Sequence, residues 1–217
     1  MQRLRRITKI TIDHMKHTSL PPSRRRGFTL VELLVVISII AVLAGVGFSI
    51  FAKVRETANK TSAVTCMSGL VQASDAYFEE YQSMPMSNSS PTDAEQVTNN
   101  QLMSILLGMQ SAQPDNPKFI AFFEFKNARG EGAGEYDGLS RSENRAELLG
   151  PWLNPQRTDR YYRLMYNYDY DNQLREPQAL GNEIIFDRNV LVYHMGKDGK
   201  VGGEFDEDNV YSWQKSN

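Results

Sequence analysis

The chain is poor in cysteine, with only Cys66 among its 217 residues. One cysteine cannot form an intrachain disulfide, and no Cys/His spacing resembles a zinc site, so a disulfide-stapled or zinc-built fold is excluded. We interpret Cys66 as a small apolar side chain rather than a reactive thiol. The composition, 41% hydrophobic and 23% charged, excludes wholesale disorder.

The two parts of the chain carry net charges of opposite sign. Residues 1–27 hold eight Lys/Arg against one acid, a net +7, whereas residues 28–217 carry a net −9. The overall charge of −2 therefore hides an acidic body. Such a body does not complement phosphate backbones, so no nucleic acid partner is expected.

Charge is absent from Leu33 to Ala52, a run of twenty residues. A helix of that length covers about 30 Å, the hydrocarbon thickness of a bilayer. The run is longer than the apolar core of a cleavable secretory signal. It predicts a single membrane span, with a buried core helix as the alternative, and the basic residues before it predict a cytoplasmic N-terminus.

Glu32 is unusual because it places a carboxylate at the edge of the apolar run, where an unpaired ion is costly. The sequence alone leaves two sources for a positive charge that could pair with Glu32. One is the group Arg24, Arg25 and Arg26, one to two turns upstream. The other is a new positive charge created by processing of the chain.

The segment Arg24–Ile37, RRRGFTLVELLVVI, resembles the N-terminal motif of type IV prepilins and type II secretion pseudopilins. In that family a prepilin peptidase removes a basic leader ending in Gly, and the new N-terminal residue is N-methylated. The resemblance implies a cut between Gly27 and Phe28. It also implies that Glu32, then the fifth residue, meets the terminal amine of a neighbouring subunit in a filament.

Beyond the span, residues 53–84 keep apolar side chains at three- and four-residue steps, so the helix is predicted to continue with an amphipathic character. Residues 85–100 are polar and predict a loop, and residues 102–109 predict a second helix. Strands are predicted within 161–170 and 189–195, which are rich in aromatic or β-branched residues.

The expected fold class is α+β and pilin-like, with the second half of the long helix covering a small antiparallel sheet. We predict a flexible glycine-rich loop at 129–138 and a turn-rich connection at 171–182. The predicted domains are a cleaved leader, residues 1–27; a transmembrane and polymerisation helix, residues 28–52; and an extracytoplasmic globular domain, residues 53–217.

Residues 195–209, MGKDGKVGGEFDEDN, crowd carboxylates among glycines. Glycines let the backbone curl so that oxygens can converge, as Ca²⁺ requires, although a solvated acidic loop explains the composition equally well. The segment, with Trp213, resembles the calcium loop of the major pseudopilin of type II secretion. This resemblance implies structural Ca²⁺ held by Asp198, Asp206 and Asp208.

Two further features belong to that resemblance. It implies that backbone carbonyls such as those of Met195 and Lys200 complete the calcium shell. The segment Gly150–Pro155, GPWLNP, resembles the Pro-Trp-Gly-Asn-Pro turn of the same subfamily, with Leu153 in place of its glycine.

The leading hypothesis is a structural subunit of a type II secretion pseudopilus or type IV pilus-like filament. It would cross the inner membrane once, with the C-terminal domain outside the cytoplasm. Expected partners are the prepilin peptidase/N-methyltransferase, further copies, other pseudopilins and the inner-membrane assembly platform. The alternative is a membrane-anchored minor pilin or adhesin-like binding protein outside the main filament.

An enzyme is not expected. The mature chain has one histidine, His194, and one cysteine, in separate predicted elements. It also lacks a Gly-x-Ser-x-Gly motif and a metal-binding His pair. We therefore interpret His194 as an ordinary sheet residue.

Overall fold

A computed structural model describes residues 27–87, 95–152, 160–202 and 207–213. The chain divides into two compact units, residues 1–48 and 49–217. Apart from Gly27, the predicted leader lies outside the described residues.

Helix α1, Leu30–Tyr81, has 52 residues and confirms the predicted long helix. Among the described residues it is the one helix long and apolar enough to cross a membrane. Gln82 follows it with a positive φ of 52°, a conformation that ends a helix. Helix α2, Asn100–Leu106, is also confirmed; the Asn99 side chain caps it by accepting from the backbone N–H groups of Gln101 and Leu102.

The main sheet has four antiparallel strands in the order β1-β4-β7-β8. Their bounds are β1 Gln96–Val97, β4 Arg163–Tyr166, β7 Val190–His194 and β8 Val210–Tyr211. Strands β4 and β7 confirm the two predicted strands. The short strand β1 corrects the prediction of a loop throughout residues 85–100, because two residues of that segment pair with β4.

The second half of α1 packs on this sheet, as predicted. Ala63, Cys66 and Leu70 of α1 share one buried core with Leu164 and Tyr166 of β4. Burial raises the pKa of the Cys66 thiol to about 12, so this cysteine behaves as an apolar side chain.

A smaller core lies on the other face of the sheet. Side chains alternate along a strand, so Met165 points away from the face that carries Leu164 and Tyr166. Met165 packs with Leu174, Leu191 and Trp213 in a separate buried cluster. The central strands are therefore covered on both faces, and Trp213 ties the end of the described chain to the sheet.

Two hairpins were not predicted. Strands β2, Gly138–Ser142, and β3, Arg145–Leu149, pair directly after the glycine-rich loop. Strands β5, Gln173–Arg175, and β6, Ile184–Phe186, pair across the region that we predicted as turns. Neither hairpin shows a regular alternation of buried apolar and exposed polar residues: β3 buries four of its five residues, Glu147 included, whereas the apolar strand β6 is largely exposed.

Candidate functional sites

The first site is the N-terminal end of α1, where processing is predicted. Residues Gly27 to Thr29 precede the helix and have no regular secondary structure. Phe28 is 80% exposed, and a Cβ built on Gly27 would meet no atom within 4 Å. The Gly27–Phe28 peptide bond therefore lies in open, non-helical backbone, which is the form of chain that a protease can engage.

Glu32 lies in the first turn of α1, where it forms a capping box with Thr29. The Thr29 backbone N–H and the Thr29 hydroxyl each donate to Glu32 Oε2 at 2.8 Å. The Glu32 backbone N–H in turn donates to Thr29 Oγ1 at 3.2 Å. This reciprocal pattern satisfies backbone donors that a helix start leaves without partners.

Thr29 is a residue that the sequence reasoning missed. The spacing Thr-x-x-Glu before an apolar run is the signature of a capping box and would have identified it. The arginines considered as partners, Arg24 to Arg26, lie outside the described residues. The donors to Glu32 Oε2 in these hydrogen bonds are both neutral groups of Thr29. The bonds therefore bring no positive charge to the carboxylate.

The apolar side chains that the structure describes in the run that follows, residues 33–45 and 50–52, are exposed. Its large side chains are exposed on every side of the helix, for example Leu34, Ile37 and Ile40. A helix that is apolar all round needs lipid or other helices around it. By length and composition, this part of α1 is compatible with a membrane span.

The second site is the acidic C-terminal loop. Asp208 Oδ2 accepts from the backbone N–H groups of Lys197, at 2.5 Å, and Asp198, at 3.0 Å. Asp198 Oδ1 accepts from the backbone N–H of Lys200 at 2.9 Å. The Asp208 carboxylate therefore contacts the backbone of Asp198, whereas the Asp198 carboxylate bonds to the backbone two residues on, and Asp206 lies outside the described residues.

Close backbone approach shapes this loop. Gly196 has a φ of 62°, and a Cβ there would fall 2.5 Å from Asp208 Cγ. The Met195 carbonyl accepts from the Gly199 N–H at 3.2 Å, which closes a turn. Within the described residues no three His, Cys, Asp or Glu side chains form a group that could hold a metal ion.

The loop is anchored to the rest of the domain at two points. Lys60 of α1 donates through Nζ to the Glu207 carbonyl at 2.6 Å. His194, at the end of β7, accepts at Nδ1 from the Gly196 N–H at 3.1 Å. The long helix and the central strand therefore both hold the loop directly.

His194 is buried, and burial lowers its pKa to about 4. Its ring stacks on Trp152 at 5.0 Å between centroids. A Cβ at Gly150 would fall 1.9 Å from His194 Nε2, so only glycine fits there. The described part of the GPWLNP segment thus packs on the histidine that supports the loop, while Leu153 to Pro155 lie outside the described residues.

Both tryptophans are tied to carboxylates. Trp152 Nε1–H donates to Glu56 of α1 at 3.0 Å, and Trp213 Nε1–H donates to the buried Glu176. The first bond joins the GPWLNP segment to the long helix. The second joins the residues after β8 to the β5–β6 region. The arrangement positions the segments that surround the acidic loop.

Comparisons with known proteins bear on the N-terminal site. A family model of the prokaryotic N-terminal methylation motif matches residues 22–48. The type IV major pilin protein PilA of Myxococcus xanthus (strain DK1622) is 37% identical over 57 residues, which are 26% of each chain. The match therefore spans about a quarter of that relative. No solved structure matches significantly.

These matches confirm the resemblance of the N-terminal segment to type IV pilins and pseudopilins. Type IV pilins are structural subunits rather than enzymes, which agrees with the expectation of a non-catalytic protein. The C-terminal loop lies outside residues 22–48, so the calcium resemblance stays a prediction.

Proposed function

We propose that the protein is a structural subunit of a pilin-like filament, held in the cytoplasmic membrane before assembly. The carrying observation is the methylation motif placed on an uncovered apolar helix that has a carboxylate, Glu32, in its first turn. The C-terminal domain then lies outside the cytoplasm, because the basic leader stays inside.

Processing supplies the cation that Glu32 lacks. Cleavage after Gly27 frees an amine at Phe28 that stays largely protonated near neutral pH. In the precursor, the Thr29 N–H that bonds Glu32 belongs to an ordinary peptide, so none of the hydrogen bonds described at Glu32 brings a cation. The mature amine of a neighbouring copy can pair with Glu32 and neutralise both charges within lipid.

The proposed partners follow from this scheme. A prepilin peptidase/N-methyltransferase cuts and methylates the chain at Phe28, and an inner-membrane platform assembles it with further copies and other pseudopilins. The open backbone at Gly27 supports access by the peptidase.

We place the filament in the type II secretion branch on the resemblance of the C-terminal loop. The sequence of the loop supplies carboxylate oxygens, which Ca²⁺ prefers, and the Asp208 carboxylate bonds to the Asp198 N–H near the start of the loop. Asp198, Asp206 and Asp208 are the proposed carboxylate ligands. Bound calcium would stabilise the loop that Lys60 and His194 anchor.

Mass spectrometry of the membrane-extracted protein tests the filament proposal. A mature chain that begins with methylated Phe28 is expected. A protein that keeps its first 27 residues and sediments as a single subunit would contradict the proposal, because Glu32 would then have no amine to meet.

Calcium titration of the detergent-solubilised full chain tests the loop separately. The melting temperature should rise with calcium in the wild type and should not rise in Asp198→Ala. Glu183→Ala, an exposed carboxylate outside the loop, is the matched control and should respond like the wild type. An unchanged melting temperature in the wild type would contradict the calcium proposal without affecting the filament proposal.

A further inference from the structure

The outer edge of strand β7 is covered over only part of its length. Strand β8 pairs with the last two residues of β7, and Ser212, which follows β8, bonds to Val192. The Ser212 N–H donates to the Val192 carbonyl at 2.8 Å, and the Val192 N–H donates to Ser212 Oγ at 2.8 Å. No residue that the structure describes pairs at this edge with Val190, the first residue of β7.

The backbone of Val190 points towards this uncovered part of the edge. The Asn167 N–H, just after β4, donates to the Asn189 carbonyl at 3.0 Å, so Asn189 faces β4. Backbone groups of an antiparallel strand face its two neighbours in alternation. Val190 and Val192 therefore face the outer edge, and the bonds between Val192 and Ser212 confirm this direction. Val190 is buried, and buried backbone groups almost always have a partner.

A groove of about 300 Å³ lies beside the uncovered edge. Met67 and Val71 of α1 form one wall, and Val190, Leu191 and Tyr211 of the sheet form the other. Val190 belongs to the core that packs on α1, whereas Leu191 and Tyr211 pack in the smaller core on the other face of the sheet. Because side chains from both faces line it, the groove lies in the plane of the sheet, where a further length of strand fits.

The chain itself leads into this groove. Strands β7 and β8 are antiparallel, and their register continued past Ser212 places Gln214 opposite Val190 and Ser216 opposite Arg188. Three residues in a strand span about 10 Å. Residues 214–216 are covalently joined to β8, so their pairing costs no translational freedom, whereas a strand from a separate molecule loses that freedom on binding.

The side chains that this register directs towards α1 match the polar rim of the groove. Side chains alternate along a strand, and Val210 of β8 faces the core on α1. Gln214 and Ser216 then face α1 as well. Exposed Gln72 and Arg188 line the groove and can hydrogen-bond to them.

We propose that residues 214–216 continue β8 along the outer edge of β7 and fill the groove against α1, with Gln214 paired to Val190. The continued strand fixes the far end of the acidic loop, which lies between β7 and β8. It also covers the side of α1 that carries Met67 and Val71. The proposal goes beyond the filament and calcium proposals and depends on neither.

Disulfide trapping tests the pairing and identifies the chain that supplies the strand. Asn189→Cys and Lys215→Cys are combined in the full-length protein, whose native Cys66 is buried. The register places the two positions opposite each other in a pair without backbone hydrogen bonds, where Cα atoms lie about 4.5 Å apart and a disulfide fits. Mild oxidation in detergent should close a bond within each chain, measured as protection of both cysteines from alkylation in a protein of monomer mass.

Asn189→Cys with Ser216→Cys is the matched control. Ser216 lies one residue further on, so its side chain points to the opposite face of the sheet. The intrachain bond should form about tenfold less in this control, because the two sulfur atoms point apart. A disulfide-linked dimer would assign the groove to a second copy and overturn the proposal. Equal bonding in the two pairs, or no bonding in either, would also overturn it.

Proline substitution gives an independent measurement by amide hydrogen exchange. In this register the Gln214 N–H faces β7 and the Lys215 N–H faces away, so proline breaks the pairing at 214 and is tolerated at 215. Gln214→Pro should speed exchange of the Val190 N–H about tenfold, and Lys215→Pro should leave it at the wild-type rate. The Leu191 N–H, which faces β4, should stay protected in both variants and shows that the domain is folded. Equal exchange rates of the Val190 N–H in the two variants would contradict the proposal.

Discussion

The N-terminal site and the C-terminal loop are built in opposite ways. At the N-terminus the bonds that position Glu32 join residues three apart, and the apolar side chains around them are exposed. In the loop, Lys60 reaches Glu207 across 147 positions of sequence, and His194 and Trp152 stack from separate segments. Local contacts survive without the rest of the fold, whereas the loop exists only when the domain has formed.

This difference predicts that the two sites are sensitive to different kinds of substitution. The N-terminal site should tolerate changes of shape but not of charge, because its proposed partners are other copies and lipid. The loop and its supports should be sensitive to volume, because buried groups there have no space to move. Four measurements test this contrast.

Glu32→Val should have the largest effect. The variant is expected to insert and to be cleaved at Phe28 yet to fail to enter filaments, as measured by the sedimentable fraction. Thr29→Val is the control: it removes the two bonds of the Thr29 hydroxyl in the capping box, at a cost of about 1 kcal/mol, but keeps the carboxylate. If both variants lose filaments equally, Glu32 acts through the cap rather than through a neighbouring amine.

Gly150→Ala should destabilise the globular domain by about 3 kcal/mol, because its Cβ would fall 1.9 Å from His194 Nε2 in a packed site. Chemical denaturation of the full chain in detergent measures this through the fluorescence of Trp152 and Trp213, the only two tryptophans. Gly134→Ala is the control, because its Cβ would meet nothing within 4 Å. Equal denaturation midpoints for Gly150→Ala and Gly134→Ala would contradict the close approach of residue 150 to His194.

His194 predicts a pH dependence of stability. Burial lowers its pKa from 6.5 to about 4, so between these values the unfolded chain binds a proton that the folded chain does not. The free energy of unfolding should therefore fall as the pH decreases through this window, by about 1.4 kcal/mol per pH unit from this group. The difference between wild type and His194→Gln measures the effect; parallel pH profiles would show that His194 titrates normally.

Lys60→Met should have the smallest effect. It removes the bond to the Glu207 carbonyl but keeps most of the side chain, so the domain should lose about 1 kcal/mol. Lys53→Met is the matched control on the same helix and should leave the melting temperature unchanged. A loss no greater than that of the control would show that Lys60 does not hold the loop.

Much of the fold was predictable because its signals are local or periodic. Cys66 and Leu70 follow the helical period that packs α1 on the sheet, and the runs around β4 and β7 are rich in residues that favour strands. The hairpins β2–β3 and β5–β6 were not, because their apolar side chains do not alternate with polar ones in the period of a half-buried strand. Leu148 of β3, for example, is held in part by a backbone bond to Thr98, which lies far away in sequence.

The candidate sites divide in the same way. Gly27, Phe28 and Glu32 were found from a contiguous motif, and Thr29 could have been found from its spacing. No pattern predicted that Lys60 would hold the acidic loop or that Gly150 would lie against His194, because each pair comes from distant segments.

The linear order of residues by itself determined the long apolar helix, the predicted processing point and the position of Glu32 in the first turn, because a helix start and a twenty-residue uncharged run need only neighbouring residues. Tertiary structure alone decided which side of α1 stays open and how Asp208 meets the Asp198 N–H. Those outcomes depend on the sheet burying one side of the helix and on distant segments closing around His194, and both require the whole domain to pack.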